Sequence, residues 1–167
     1  MSHMLFGDFN YKVDNEQKNS LKRYLESMNI LLFFDEEVGE FEEVSQMLNE
    51  NEKGYKGRFC ITSVLQKYNS DDILFPYDKY SNVDLFPNGD DRRHFEELCY
   101  NNLMILQNVI ETMEQKLDID TLRIFVVEGY DTNFVVKDCN IYQMINSLYL
   151  QVKESFFLES YIYQIKR

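Results

Sequence analysis

Tryptophan is absent from this chain, and proline and histidine occur only twice each. The scarcity of histidine excludes most acid–base and nucleophilic chemistry. One of the two, His3, lies in the opening MSHM, which reads as a tag or cloning scar. A Ser-His-Asp or Cys-His arrangement would therefore have to pass through His94. That residue sits in DDRRHFEE, where Arg92 with Glu96 and Arg93 with Glu97 have the spacing of helical ion pairs. His94 is expected to be an exposed residue at a helix start, and the chain is not expected to be an enzyme.

Glycine is also sparse, with six residues scattered along the chain. Gly54-Tyr55-Lys56-Gly57 is not a phosphate loop, and nothing fits G-x-G-x-x-G, so nucleotide binding is not expected. The three cysteines, Cys60, Cys99 and Cys139, form no C-x-x-C and are too few for a disulfide scaffold. They read as buried free thiols in a reducing compartment. No apolar run reaches the length of a membrane span, and no basic-then-apolar signal sequence opens the chain. The expected location is the cytoplasm.

Positive charge is the next shortage. Lys and Arg total 17 against 29 Asp and Glu, a formal net charge of −12. They form no run longer than two, as at Arg92-Arg93 and Lys166-Arg167. Such a field disfavours nucleic acid and anionic lipid, both polyanions. It favours a basic protein, a cation, or solubility alone. The carboxylates do not take a metal-binding register. Neither FDEEVGEFEEV nor NSDDILFPYD has the ligand spacing, central Gly and closing Glu of a calcium loop. His94 has no Glu three residues before it, as a two-metal carboxylate site would require. No metal and no cofactor are expected.

What the chain does have is apolar content of 44%, with thirteen Phe and twelve Tyr. Its 167 residues suffice for one domain with a real core and are few for two. After the four-residue tag, residues 5–167 read as a single globular α+β domain, with a mainly antiparallel sheet against three to four helices. A first strand is expected within Leu5–Val13. Asp14 should cap a helix that runs to about Met28, with Leu21, Tyr24, Leu25 and Met28 on one side. Ile30–Phe34, ILLFF, suits a buried strand, and Arg58–Leu65 another.

The longest helix is predicted at about 91–117, capped by Asp90 or Asp91. Its stripe would be Phe95, Leu98, Asn102, Ile105, Val109, Met113 and Leu117, with Cys99, Leu106 and Ile110 beside it. Leu122–Val127 reads as a strand, onto which Phe134–Val136 could fold back as a hairpin. Asp138 would open a helix carrying Ile141, Met144, Ile145, Leu148 and Val152. Ser155–Ile165 would be the final strand.

Two segments carry the functional reading. Residues 34–52, FDEEVGEFEEVSQMLNENE, hold eight Asp or Glu and no Lys or Arg. Phe34, Val38, Phe41, Val44 and Leu48 recur at helical spacing, so the segment reads as a helix with one packed face. Glu36, Glu40, Glu43 and Glu50 fall on the far side. Like charges four apart oppose a helix by a few tenths of a kcal/mol per pair, so the ridge is either tolerated or used. The bland alternative is a solvated face. Residues 68–91 form a long irregular stretch in which Phe75-Pro76 and Phe86-Pro87 disfavour helix. There Phe75, Tyr77, Tyr80 and Phe86 alternate with Asp71, Asp72, Asp78, Asp84, Asp90 and Asp91. Long loops inside a domain are often functional.

An acidic ridge beside aromatic anchors suits an inhibitor that puts carboxylates where a nuclease would bind phosphates. In size, charge and lack of catalytic motifs the chain is similar to bacterial immunity proteins of polymorphic and contact-dependent inhibition systems. It departs from one large immunity family, which shows Trp and a Gly/Pro-rich pattern. The resemblance implies a basic toxin domain, such as a nuclease, as partner. Expected contacts are Glu36, Glu40, Glu43, Asp71, Asp72, Asp78, Tyr80 and Asp84. Three alternatives accompany it: a phage-encoded inhibitor or nucleic-acid mimic acting on a host nuclease, an enzyme of unfamiliar type with a divalent metal on the acidic loop, and an adaptor whose acidic ridge only keeps it soluble.

Overall fold

A computed structural model describes residues 5–10, 14–34, 57–63, 89–126, 135–155 and 161–166. These form an α+β arrangement of six strands and three helices. In chain order they are β1 (Leu5–Phe9), α1 (Asn15–Glu26), β2 (Ile30–Phe34), β3 (Gly57–Ser63), α2 (Gly89–Leu117), β4 (Thr121–Val126), β5 (Val135–Cys139), α3 (Ile141–Ser155) and β6 (Tyr161–Lys166). The sheet order is β2-β3-β1-β4-β6-β5. Every neighbouring pair is antiparallel except β5 and β6, which run parallel. The sheet is thus mainly antiparallel, as expected, with one parallel pair at an edge.

That pair corrects the sequence reading. β5 does not fold back on β4; β6 lies between them, and α3 makes the crossover from β5 to β6. A helix is the usual way to join neighbouring parallel strands, because a tight turn can only reverse direction. Asp138 is a strand residue rather than a helix start. The cap of α3 is Asn140, whose Oδ1 accepts from the Gln143 N–H at 2.9 Å while Gln143 Oε1 accepts from the Asn140 N–H at 2.9 Å. This reciprocal pair satisfies donors that the first turn leaves open. Because α3 extends to Ser155, the last strand begins at Tyr161 rather than Ser155.

Helix α1 follows its expected cap. Asp14 Oδ1 accepts from the Gln17 N–H at 2.8 Å, and Gln17 completes a capping box. Leu21 and Leu25 are buried as the spacing requires. The helix stops at Glu26, and Asn29 adopts φ 60°, a left-handed conformation that turns the chain into β2. Asp118, with φ 49°, does the same after α2. Since α2 begins at Gly89, Asp90 and Asp91 lie within its first turn and do not precede it. Acidic residues are favoured at either place by the helix dipole.

The stripe on α2 is also shifted from its expected line. Cys99, Leu103, Leu106, Val109, Ile110, Met113 and Leu117 are all fully buried, whereas Ile105 is 38% exposed. Ile105 lies one residue, or about 100° of arc, from the centre of that stripe.

All three helices cover one face of the sheet. Leu5, Phe9, Leu32, Phe59, Ile61, Ile124 and Tyr163 share a core cluster with Leu21 and Leu25 of α1, the α2 stripe, and Met144 and Leu148 of α3. Tyr163 ties α3 to β6: its hydroxyl lies 3.0 Å from Ser147 Oγ and accepts from Gln151 Nε2 at 3.1 Å. Burial pushes the Tyr163 hydroxyl above its ordinary pKa, and those two hydrogen bonds partly oppose the rise.

Two glycines permit the packing of β1 on β3. Gly7 stands opposite Phe59, and Gly57 opposite Phe9. A side chain on Gly7 would collide with the Phe59 ring and the Arg123 carbonyl, and one on Gly57 with the Phe9 ring. Each ring thus lies over the glycine across from it, and the two rings stack with centroids 6.0 Å apart. Glycine is required here for close approach, not for turning.

Candidate functional site

The eight residues expected to meet a partner, Glu36, Glu40, Glu43, Asp71, Asp72, Asp78, Tyr80 and Asp84, all lie outside the described residues. So does the whole acidic segment after Phe34. What the described residues show is how charge is handled on the scaffold those segments join.

The face of the sheet away from the helices has a polar row. Strand register aligns Arg58 of β3, Asp8 of β1, Arg123 of β4, Gln164 of β6 and Asp138 of β5. The next row is apolar: Phe33, Cys60, Phe6, Phe125, Ile162 and Val136. At the centre, Asp8 is 0% exposed and Arg123 1%. Arg123 Nε donates to Asp8 Oδ1 at 2.7 Å and Nη2 to Oδ2 at 2.5 Å. The planar guanidinium matches the carboxylate in a two-pronged pair, and it also lies 5.7 Å from the Phe125 ring centroid. Neither ion tolerates such burial without its partner. Beside them, burial pushes the Cys60 thiol up to about 12. This is a stabilising ionic centre, closed to solvent, and not an open reactive one. Sequence reasoning missed it, although a signal was present: LFGDF and LRIFV each hold a charged residue within an apolar strand.

Among the described residues, one open feature is a cleft of about 520 Å³ between α2 and α3, lined by Arg93, Glu96, Glu97, Tyr100, Asn101 and Tyr149. The first turns of α2 meet the last turn of α3. Arg92 donates through Nη2 to the carbonyl of Lys153 and through Nε to Glu96 Oε1 at 2.8 Å. A cation on the last carbonyls of a helix is favourable for both. The Arg92–Glu96 pair is the one expected from spacing. Arg93 and Glu97, the other expected pair, are both exposed, where a pair of ions gains little. Eight residues along from Arg92, Tyr100 meets Tyr149 edge to face, with ring centroids 5.5 Å apart and an angle of 77°. Lys153 Nζ lies 6.0 Å from the Tyr149 ring centroid. His94 is exposed at the start of this helix, as expected, and does not line the cleft.

The other sites considered from sequence have a mixed outcome. Cys60 and Cys99 are buried free thiols, and Cys139 is a half-buried one. Among the described residues no three His, Cys, Asp or Glu side chains gather as metal ligands would. No helix among them is long and apolar enough to cross a membrane. Comparison with protein-family models, with curated proteins and with solved structures finds no match to this chain.

Proposed function

We propose that this chain is an immunity protein, which binds a cognate toxin domain of basic surface, such as a nuclease, and blocks it without catalysis of its own. The observation that carries this reading is the placement of charge. The chain has a net charge of −12, and residues 34–52 concentrate eight carboxylates with no Lys or Arg among them. Glu36, Glu40 and Glu43 are the first contacts, and Asp71, Asp72, Asp78, Tyr80 and Asp84 the second set. Opposite charge accelerates encounter, and aromatic anchors extend residence. The sheet with its helices acts as the rigid support for these two segments.

The test is capture of a partner from cells that express the neighbouring genes, with this chain as bait and washes at low and then high salt. The expected result is a stoichiometric basic protein whose toxicity disappears on co-expression. Glu40→Lys with Glu43→Lys should then slow association and flatten its salt dependence. Unchanged kinetics in that variant would remove the 34–52 segment from the interface. Absence of any partner at either salt would overturn the reading.

A further inference from the structure

At the open edge of the sheet we propose a docking site for an extended strand of a basic protein, which adds to β5 and sets Lys or Arg across from Asp138. The proposal deepens the inhibitor reading and takes from it that a basic partner exists, but it concerns a surface apart from the acidic segments.

The sheet ends at β5, whose neighbour in it is β6. An edge strand turns a row of backbone N–H and C=O groups away from its own sheet, where another chain can pair with them. Val135 is 55% exposed and Val136 48%. Adjacent residues of a strand point to opposite faces, so β5 is open on both faces as well as along its rim.

The charges on β5 decide what can be added. Lys137 Nζ lies 3.6 Å from the ring centroid of Tyr161, on β6, so this side chain leans back over its own sheet and leaves the rim clear. It still opposes a second copy of the chain. Antiparallel pairing of β5 with itself over all five residues sets the two Lys137 residues face to face, and like charges directly opposite one another destabilise a sheet.

Asp138 points to the other face, is exposed, and ends the polar row. Along that row Arg58 is positive, Asp8 negative, Arg123 positive, Gln164 neutral and Asp138 negative. Gln164, beside Asp138, offers no counter-charge. The place one strand further out therefore suits Lys or Arg, and an acidic strand would meet Asp138 with like charge. Two residues along, across from Val136, the same strand needs an apolar side chain. Opposite-charge and β-branched pairs are the contacts that stabilise neighbouring strands.

The experiment titrates the isotope-labelled full chain with three blocked peptides, read by amide NMR shifts. The first is Thr-Val-Thr-Arg-Thr-Val-Thr, symmetric so that either strand direction sets Arg across from Asp138 and Val across from Val136. The second has Glu for Arg. The third, Thr-Val-Pro-Arg-Pro-Val-Thr, keeps Arg and Val but lacks two backbone donors. The arginine peptide should shift the amides of Val135–Cys139 saturably, and at lower concentration than the other two. Asp138→Asn, at an exposed position, should keep the folded spectrum, weaken the arginine peptide roughly two- to fivefold and erase its advantage over the glutamate peptide. Equal binding of the proline peptide, preference for the glutamate peptide, unchanged binding in Asp138→Asn, or no shift on β5 would overturn the proposal. Shifts on β5 when the chain alone is concentrated would give the edge to a second copy and overturn it as well. A basic partner captured by a chain whose β5 ignores the arginine peptide would overturn the docking site and leave the inhibitor reading standing. Arginine-peptide binding on β5 with no partner captured would support the site and overturn that reading.

Discussion

Arg123 of β4 stands directly across from Asp8 of β1, and its guanidinium holds both carboxylate oxygens, at 2.7 and 2.5 Å, with neither residue more than 1% exposed. Removing one member takes from the other its two-pronged counter-ion, out of reach of solvent. Asp8→Ala should cost about 3–5 kcal/mol, read as a fall in the urea midpoint. Replacing both, with Asp8→Leu and Arg123→Met, should recover most of that loss. A double variant as unstable as the single one would show that the rest of the polar row, Arg58 included, depends on the pair.

The interlocked glycines give a second prediction. Gly7→Ala and Gly57→Ala should each destabilise by about 1–3 kcal/mol, although alanine is the better residue in most strands. Gly7 should be the more sensitive, because its new methyl group meets the Arg123 backbone carbonyl as well as a ring, whereas at Gly57 the obstacle is the Phe9 side chain. Thermal unfolding of both variants checks the order.

Much of the architecture was legible in advance, and the misses have physical causes. Ile30–Phe34 and the end of α2 at Leu117 follow from apolar runs and period alone. The partner of β5 was not legible, since strand pairing depends on the crossover path and not on local composition. The cap of α3 was missed because Asp138 and Asn140 are both good caps, and only the backbone decides between them. The ionic centre was hidden because its two halves are 115 residues apart. The eight expected contact residues lie outside the described segments, and the α2–α3 cleft had no signature beyond ordinary helix-surface residues.

That choice of cap can be tested. Asn140→Ala should cost about 1 kcal/mol, whereas Asp138→Ala, in an exposed position of β5, should stay within about 0.5 kcal/mol. The reverse order in chemical denaturation would place the start of α3 at Asp138.

Cys60 provides a pH signature. Its thiol ordinarily titrates at 9.0 and is pushed to about 12 by burial. Above pH 9.0 the unfolded chain releases this proton while the folded chain keeps it. The contribution to stability is therefore complete below 9.0 and is lost as pH climbs from there toward about 12. Urea midpoints compared at about pH 8 and about pH 10.5 should fall less in Cys60→Ala than in the parent chain. Equal falls would show that Cys60 does not hold its proton in the folded state. The native thiol should also resist alkylation until the chain unfolds.

The placement of β1 has a consequence for how the protein is made. The strand at the heart of the sheet is made before the other five described strands, while the guanidinium that pairs with its Asp8 is synthesised 115 residues later. Until then Asp8 keeps its water and β1 lacks one flanking strand. A nascent chain stalled before Arg123 cannot close its central layer, so quality control has a long interval in which to find it. The C-terminal β5-α3-β6 unit faces no such delay, because its strands and helix follow one another closely.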